Sequence, residues 1–455
     1  MNIKTTLRTQ YDRIRASGFL KSVLTLSSGV VVAQAINFFG MPVVGRVYTP
    51  SAIGDYTLIT TNAGVISSLA CLGMMTAFML PEKNEEARGL SRLVTYSTVT
   101  ITTLAILGLW LCSGFYRIFS MEETPYSISL LVLWLYIVFN TVSNICYAYV
   151  NRQKLYRVMF WNPVFTAGIN VGCGILFGWL GWGFVGYTGA HILSFLVNIL
   201  HLIRHANPFE KISDPAYRCI PLLKSYRRFP IYQMPANLVS SLATRFPAQM
   251  LDLLFSSAAL GMYSMALRIL SLPTMLLATP INRVYFQEAN QRYNRGEDIG
   301  EFSFKILETN IKLAILPVSL FIVFGEWIFA LFLGEQWREA GTFAAVLGLC
   351  QLMRFCASCL SGDFVIIRRN RIELGMSLFR FAANASLYFL TIWLHLSNLF
   401  LCLTLLSTVE VLSELIQRGI FLKLTGFSLS RYLLFVVKYI CLPVGAAWLI
   451  RLLIW

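Results

Sequence analysis

Apolar residues fall in long runs along most of the chain, and short polar or charged stretches separate these runs. A run of about 20 apolar residues forms a helix that crosses about 30 Å of hydrocarbon. The pattern predicts thirteen membrane helices, near residues 20–45, 52–80, 93–116, 126–149, 158–180, 183–203, 229–251, 257–282, 303–332, 340–366, 373–394, 398–422 and 432–454. A charged segment without a small-residue cleavage site precedes the first run, so we expect a retained helix and not a signal peptide.

Composition supports a chain that lies in lipid. Hydrophobic residues make up 56% of the 455 residues and charged residues only 13%, and the mean hydropathy is +0.64. A soluble chain of this length carries far more charge on its surface. The composition therefore predicts an all-α polytopic membrane protein.

Lys and Arg collect on alternate connections between the runs, beginning with the N-terminal segment. The intervening connections hold only Arg46, Arg117, Arg338 and Arg451. Because cytoplasmic loops are enriched in cations, this alternation places the N-terminus in the cytoplasm. The net charge of +15 then reflects topology and attraction to anionic lipid headgroups. Cations dispersed over so many loops do not resemble a nucleic-acid-binding patch.

The longest predicted cytoplasmic connection divides the first twelve runs into two sets of six. We therefore expect a cytoplasmic segment at 1–19, an N-lobe at 20–203, a linker at 204–228, a C-lobe at 229–425 and an extra membrane helix at 426–455. No phosphate-binding GxxxxGK[ST] motif or paired-carboxylate site occurs in the connections, which argues against an ATP-driven pump and against an enzyme.

Cysteine and histidine offer no pattern of metal ligands. Most of the ten cysteines lie inside apolar runs, and the four histidines are scattered. Cys356 and Cys359 form a CxxC within an apolar run, without a second pair, so we interpret them as small core residues. We expect neither a metal nor another resident cofactor.

Two short segments have the same rhythm. TPSAIGDYT begins at Thr49 and SSAALGMYS begins at Ser256, and all their matching positions have the same offset. The segments open the second and eighth runs, so a repeat of six helices would keep its orientation in the membrane. We predict two pseudo-symmetric lobes. The alternative is that small residues recur because they let helices pack closely.

Polar side chains form one stripe on each of two runs that this repeat makes equivalent. The stripe on the first run contains Ser27, Gln34 and Asn37, and that on the seventh contains Gln233, Asn237, Ser240 and Thr244. A polar stripe inside lipid is unfavourable unless it faces a bundle interior or a wet cavity. We expect both stripes to line a cavity, with hydrogen bonding between helices as the alternative.

Charged residues also occur within the runs. The cations are Arg245, Arg268, Lys312, Arg354, Arg380 and Lys438, and the deep carboxylates are Glu410 and Glu414. Pairing, for example of Arg380 with Glu410, could neutralise some cations, but two carboxylates cannot neutralise all of them. A surplus of guanidinium groups suits a phosphorylated substrate, because each group offers two parallel donors to phosphate oxygens.

The segments PVVGRVYTPSAIGDYTLIT and FSSAALGMYSMALRILSLPTMLLATPINRVYFQEANQRYNRGED resemble bacterial Wzx-type flippases. These are lipid-linked oligosaccharide exporters of the multidrug/oligosaccharidyl-lipid/polysaccharide superfamily. The likeness extends over residues 20 to about 425 in span layout, whereas the thirteenth run departs from the usual twelve or fourteen.

The resemblance implies two six-helix lobes around a central cavity in the bacterial inner membrane. It implies alternating access that carries an undecaprenyl-diphosphate-linked oligosaccharide, such as an O-antigen or capsule unit, to the outer leaflet, with other polysaccharide assembly proteins as partners. Candidate substrate-binding residues are Arg245, Arg268, Lys312, Arg354 and Arg380 for the diphosphate and Gln34, Asn37 and Asn237 for the sugar. Candidate gating or coupling residues are Arg46, which could pair with Asp55, and Glu410 and Glu414, which could bind H⁺ or Na⁺.

Three other functions stay open. A lipid II flippase would share the diphosphate ligand. A cation-coupled drug exporter of the same superfamily would favour an acidic or aromatic cavity, against which the cations argue. A membrane glycan polymerase, which is an enzyme, usually needs a large outer loop, and every predicted outer connection is short.

Overall fold

The computed structural model of the protein describes residues 18–81, 83–111, 124–393 and 398–454, and these residues form helices and turns without a strand. Most of the predicted cytoplasmic segment, residues 1–17, lies outside the described residues, as does Arg117. The chain divides into two compact units, and the boundary follows Gln249.

The first unit contains six long helices, a short helix and most of α8. Their bounds are α1 Gly18–Val47, α2 Pro50–Ala70, α3 Asn84–Leu111, α4 Tyr126–Arg152, α5 Tyr156–Trp179, α6 Gly183–His205, α7 Cys219–Ser225 and α8 Met234–Leu254. Helical turns at Met74–Met79, Pro215–Tyr217 and Phe229–Gln233 connect some of them. The boundary between the units thus falls inside α8.

The second unit continues from Met250 to the last described residue. Its helices are α9 Ser257–Leu270, α10 Thr279–Asn294, α11 Ile299–Leu333, α12 Arg338–Cys359, α13 Asp363–Ile366, α14 Asn370–Trp393, α15 Leu399–Leu424, α16 Leu429–Val436 and α17 Leu442–Ile454. Turns at Thr274–Ala278, Glu335–Trp337 and Val437–Cys441 connect some of them. Buried apolar residues of α10, α11, α12, α15, α16 and α17 share one core, which includes Cys356 and Cys359.

Within the residues that the structure describes, each of the thirteen apolar runs lies on a helical stretch. Among the residues that the structure describes, nine stretches are long and apolar enough to cross a membrane. The other four runs lie on α2, α8 and α14, which fall short of that hydropathy, and on α9, which is apolar but short. This confirms the predicted fold class, an all-α multi-pass membrane protein. The pseudo-symmetry of two six-helix lobes and their residue bounds stay predictions.

The two segments of the sequence repeat both begin a helix, and they do so in the same way. The Thr49 hydroxyl accepts a hydrogen bond from the Ala52 amide at 3.3 Å. The Ser256 hydroxyl accepts one from the Ala259 amide at 3.1 Å. A hydroxyl at this position satisfies one of the free amides of the first helical turn. The repeat therefore encodes a shared helix start.

The helical path widens into π-type turns just before three prolines. These prolines are Pro235, Pro280 and Pro443, and the turns are Phe229–Gln233, Thr274–Ala278 and Val437–Cys441. The Met234 amide bonds to the Phe229 carbonyl, and the Leu442 amide bonds to the Val437 carbonyl. Proline has no amide hydrogen, and its ring crowds the preceding turn, so the regular ladder cannot continue through it. Proline placement thus explains where the regular hydrogen-bond ladder of these helices is interrupted.

The predicted linker at 204–228 is folded against the first unit. Arg92 Nη2 donates to the Glu210 carbonyl at 2.8 Å, and the Tyr226 hydroxyl donates to Glu86 Oε1 at 2.8 Å. Burial, together with the hydrogen bond to Glu86, raises the pKa of Tyr226 to about 12. Tyr226 is therefore a protonated donor at neutral pH, and the linker is tied to α3.

The thirteenth helical stretch, 429–454, is attached to α11 at both ends. Arg431 makes a forked contact with the Glu301 carboxylate, with N–O distances of 2.8 and 3.2 Å. Arg451 is buried, donates to the Ile322 carbonyl at 2.8 Å and pairs with Glu326. Arg451 is thus part of the packed interior of the second unit.

Candidate functional site

Arg245 lies on α8 and reaches across to α2 within the first unit. Its Nη1 atom donates to the Thr60 carbonyl at 2.8 Å. One turn earlier on α8, the Ser241 hydroxyl donates to the Gly64 carbonyl at 3.1 Å. Because Ser241 and Arg245 are four residues apart, they occupy one face of α8. That face binds directly to the backbone of α2.

The guanidinium of Arg245 keeps unused donors. In the described part of the chain, its single hydrogen-bond partner is the Thr60 carbonyl, and the residue is half-buried. A guanidinium has five N–H donors and stays charged at any physiological pH. Arg245 therefore has the chemistry of an anion-binding group that no described carboxylate neutralises.

The second unit contains a ladder of ion pairs along α15. Glu410, Glu414 and Arg418 follow one another at four-residue intervals, so they lie on one face of that helix. All three are at least nine-tenths buried. Charges buried inside a protein need partners, and each of the three has one.

The first two rungs join α15 to α12 and α14. Glu410 Oε2 lies 3.7 Å from Arg354 Nη2, and Glu410 Oε1 accepts from Asn384 at 2.6 Å. Glu414 Oε1 lies 2.7 Å from Arg380 Nη2. Arg380 thus pairs with Glu414. The sequence suggested a pairing of Arg380 with Glu410, and the structure does not show it.

The third rung joins α15 to the short helix α13. Arg418 pairs with Asp363, and the same carboxylate accepts a hydrogen bond from the Tyr285 hydroxyl. Tyr285 also lies 2.9 Å from the Ser303 hydroxyl. Arg418 lies on α15, which continues past it, and the residue is buried there.

The predicted surplus of cations in the second half is smaller than the sequence suggests. Arg354 and Arg380 use the two deep carboxylates, and Lys312 pairs with Glu308 at 2.6 Å. The expectation that pairing could not neutralise these cations missed Glu308, which lies one turn before Lys312 on α11 and faces the same side. The proposed contact of these residues with substrate stays a prediction.

A cavity of about 250 Å³ adjoins the ladder. Its lining residues are Ala357, Ser358, Leu360, Ser361, Gly362, Asp363, Phe364, Glu373, Ser377, Arg380, Glu414, Gln417 and Arg418. Glu414 Oε2 is buried and has no hydrogen-bond partner among the described residues. Glu414 lines this cavity, although its Oε2 atom is itself shielded from solvent.

The remaining candidates lie at separate places on the helices. Gln34 and Asn37 are half-buried on α1, and Asn237 on α8 accepts a hydrogen bond from Gln233 at 2.9 Å. Arg268 lies in the last turn of α9 and is half-buried. Arg354 and Arg380 both pair with carboxylates of α15, so these two candidates belong to one network.

Arg46 and Asp55, which the sequence suggests as a gating pair, differ in burial. Arg46 lies in the last turn of α1, is exposed, and donates to the Pro42 carbonyl at 3.4 Å. Asp55 is fully buried in α2. Their predicted pairing stays a prediction.

Asp363, Tyr285 and Gly64 were not candidates in the sequence. The four-residue spacing of Glu410, Glu414 and Arg418 was visible, and it could have indicated that Arg418 continues the buried face. Gly64 carries no such signal, because what distinguishes it is the Arg245 side chain that lies opposite it in the structure.

The chain is similar to known proteins in family and in fold. A family model described as a polysaccharide biosynthesis protein matches residues 43–342. No curated protein sequence matches the chain.

The fold is similar to that of the lipid II flippase MurJ in an inward closed conformation, with 14% identity, a TM-score of 0.65, and 95% of this chain and 97% of that chain covered. It is also similar to an inward-facing multidrug resistance MATE family transporter of the MOP superfamily, with 15% identity, a TM-score of 0.53, and coverage of 88% and 95%. These structural relatives are a flippase and a transporter, not enzymes.

Proposed function

The chain belongs to the family of polysaccharide biosynthesis proteins, and from this premise we propose that it is a flippase for a lipid-linked oligosaccharide. It carries an undecaprenyl-diphosphate-linked repeat unit, of the kind used for O-antigen or capsule, from the cytoplasmic to the outer leaflet by alternating access. The multi-pass helical fold, which it shares with a flippase and a transporter, supports this proposal. The observation that carries it furthest is Arg245, a half-buried cation on α8 with free donors and no carboxylate partner among the described residues.

Arg245 is the best-placed ligand for the diphosphate. A charge inside a membrane helix is unfavourable, so it persists where it has a partner or a function. Arg354, Arg380 and Lys312 have carboxylate partners, whereas Arg245 has a backbone carbonyl and unused donors. We propose that Arg245 binds the diphosphate first and that the polar residues Gln34, Asn37 and Asn237 contact the sugar.

We further propose that the protein lies in the bacterial inner membrane with its N-terminus in the cytoplasm. The alternation of cation-rich connections along the sequence supports this orientation. In this orientation the flippase receives its substrate from the enzymes that assemble the repeat unit and passes it to those that polymerise it outside.

The test of the flippase proposal is deletion of the gene in its native host, followed by chemical analysis of lipid-linked sugars. We expect an undecaprenyl-diphosphate oligosaccharide to accumulate and surface polysaccharide to disappear, and the wild-type gene on a plasmid should restore both. Unchanged lipid-linked sugars in the deletion strain would contradict the proposal. Accumulation of lipid II alone would replace it with the lipid II alternative, which shares the diphosphate.

We propose that Glu414 couples transport to an ion gradient. Its Oε2 atom lacks a partner among the described residues, and the cavity beside it, at about 250 Å³, has room for roughly eight waters at about 30 Å³ each. The other charged groups that line this cavity are Asp363, Glu373, Arg380 and Arg418. A proton or a Na⁺ ion on Glu414 would weaken its attraction for Arg380 and so loosen α14 from α15.

Glu414→Gln is expected to uncouple transport from the gradient. Glutamine keeps a hydrogen-bond acceptor for Arg380 but cannot carry a charge or a coupling proton. In proteoliposomes, transport by the wild type should accelerate under an imposed H⁺ or Na⁺ gradient, whereas transport by this variant should not change. Glu308→Gln, which removes a paired carboxylate elsewhere in the same unit, is the control and should keep the response. A normal response of Glu414→Gln to both gradients would refute the assignment.

A further inference from the structure

Gly64 on α2 faces the guanidinium of Arg245. A methyl group added at Gly64 would overlap Cζ, Nε and Nη2 of that guanidinium. Within the first unit, several other glycines have open space at the same point, including Gly168, Gly172 and Gly189. Gly64 is thus a position where the absent side chain makes room for one particular group.

The overlap indicates how the guanidinium is oriented. The central Cζ atom would be the nearest to the added methyl group, and Nε and Nη2 would be equally distant. This pattern means that the flat face of the guanidinium, and not one of its edges, lies against α2. An arginine that stacks by its face keeps its edge donors available.

One corner of the guanidinium is held and one edge is free. Nη1 donates to the Thr60 carbonyl at 2.8 Å, one helical turn before Gly64. Nε and Nη2 have no hydrogen-bond partner among the described residues. These two atoms form the parallel donor pair that binds two oxygens of one phosphate or carboxylate group.

We propose that Gly64 is a positioning residue that presents the Nε–Nη2 edge of Arg245 to one phosphoryl group of the substrate. This inference rests on the proposed function, because it takes a phosphorylated lipid as the ligand. Glycine is unfavourable inside a helix, and here it leaves the space in which the Arg245 guanidinium lies while Arg245 binds the Thr60 carbonyl. Alanine or serine at this position would displace the guanidinium and misdirect the donor pair.

The test is a double-mutant cycle between Gly64→Ala and Arg245→Ala. Its two measurements are the melting temperature of the full-length purified protein and the affinity of that protein for undecaprenyl diphosphate in nanodiscs. The control is Gly189→Ala, a glycine inside α6 that is also half-buried and has open space beside it. Because alanine is the better helix former, the control should melt at or above the wild-type temperature and bind normally.

We expect Gly64→Ala to lack the gain in melting temperature that alanine brings at the control position and to weaken binding about tenfold, in line with the loss of charged hydrogen bonds. In the Arg245→Ala background the added methyl group has room, so Gly64→Ala should then lower neither quantity, with affinities that agree within about twofold. Additive effects on melting would show that the two residues are not in contact and would overturn the proposal.

The proposal would also be overturned if the melting temperatures showed coupling between Gly64 and Arg245 but Gly64→Ala bound undecaprenyl diphosphate normally. The contact would then have no effect on how the ligand is bound. A failure of the flippase proposal looks different. In that case the wild type itself would not bind undecaprenyl diphosphate, while the melting cycle could still report the contact.

Discussion

Arg245→Ala is expected to abolish surface polysaccharide while the protein stays in the membrane at its normal level. Arg245 is the candidate cation whose donors are mostly unused in the described structure. Hydrogen bonds to a charged group contribute about 1.5–3 kcal/mol, so losing them should weaken substrate binding about 10- to 100-fold. Surface polysaccharide, transport into proteoliposomes and the amount of membrane protein are the three measurements.

The substitution should have little effect on folding. The Thr60 carbonyl belongs to α2 and keeps its place in the hydrogen-bond ladder of that helix when Arg245 is removed. Only a single hydrogen bond between the helices is lost, which is about 1 kcal/mol. Loss of polysaccharide in a stable protein would therefore report on the ligand and not on the fold.

Two further variants separate charge from geometry. Arg245→Lys keeps the charge and can still reach a carbonyl, but it has no parallel donor pair, so we expect an intermediate defect. Arg227→Ala removes an exposed cation of the linker and should behave as the wild type. Normal polysaccharide in the Arg245→Ala strain would refute a role of this residue in anion binding.

The helical architecture was predictable because it follows from local properties of the chain. Apolar length alone located all thirteen helical stretches, and the hydroxyls of Thr49 and Ser256 mark equivalent helix starts. These features depend on neighbours within a few residues. The hydrophobic pattern and the capping residues are both read along one helix, so no knowledge of helix packing was needed.

The ion pairs were less predictable because they depend on the register between helices. Arg380 could meet Glu410 or Glu414, which lie about one helical turn, or about 6 Å, apart along α15. The structure pairs Arg380 with Glu414 and Asn384 with Glu410. A step of four residues towards the C-terminus of α14 therefore matches a step of four residues towards the N-terminus of α15. The sequence specifies which face of α14 and which face of α15 carry these polar residues, but the packing of the two helices decides which residues pair.

The role of Gly64 lies entirely in packing. Glycine is frequent in membrane helices, and nothing in the sequence around Gly64 distinguishes it from Gly189. The difference appears only when Arg245 is found against one and open space against the other. Close approaches of this kind need the structure.

The second large effect is expected at the buried pair of Arg418 and Asp363. The relative exposure of Arg418 is 7% and that of Asp363 is 2%, so both charges are largely shielded from water in the folded protein. Removing one partner leaves the other charge buried and uncompensated, which costs about 3–5 kcal/mol. We expect Arg418→Ala and Asp363→Ala each to reduce the free energy of unfolding by that amount and to deplete the protein from the membrane.

Asp363→Ala should be at least as damaging as Arg418→Ala. The Asp363 carboxylate also accepts a hydrogen bond from the Tyr285 hydroxyl. Removal of this carboxylate therefore affects α10 as well as α15. Tyr285→Phe tests this contribution alone and should cost only about 1 kcal/mol, because the ion pair survives. Thermal melting of purified full-length variants, together with their yield from membranes, gives the order of these effects.

Replacing both charges distinguishes the loss of a buried pair from a general sensitivity of this region. Arg418→Met combined with Asp363→Leu leaves no unpaired charge, so it should recover most of the stability that either alanine variant loses. Arg292→Ala, which breaks the half-exposed pair with Glu288 in the same unit, should change stability by less than about 1 kcal/mol. If Arg418→Ala were as mild as Arg292→Ala, the third rung of the ladder could not be the buried ion pair that joins α15 to α13.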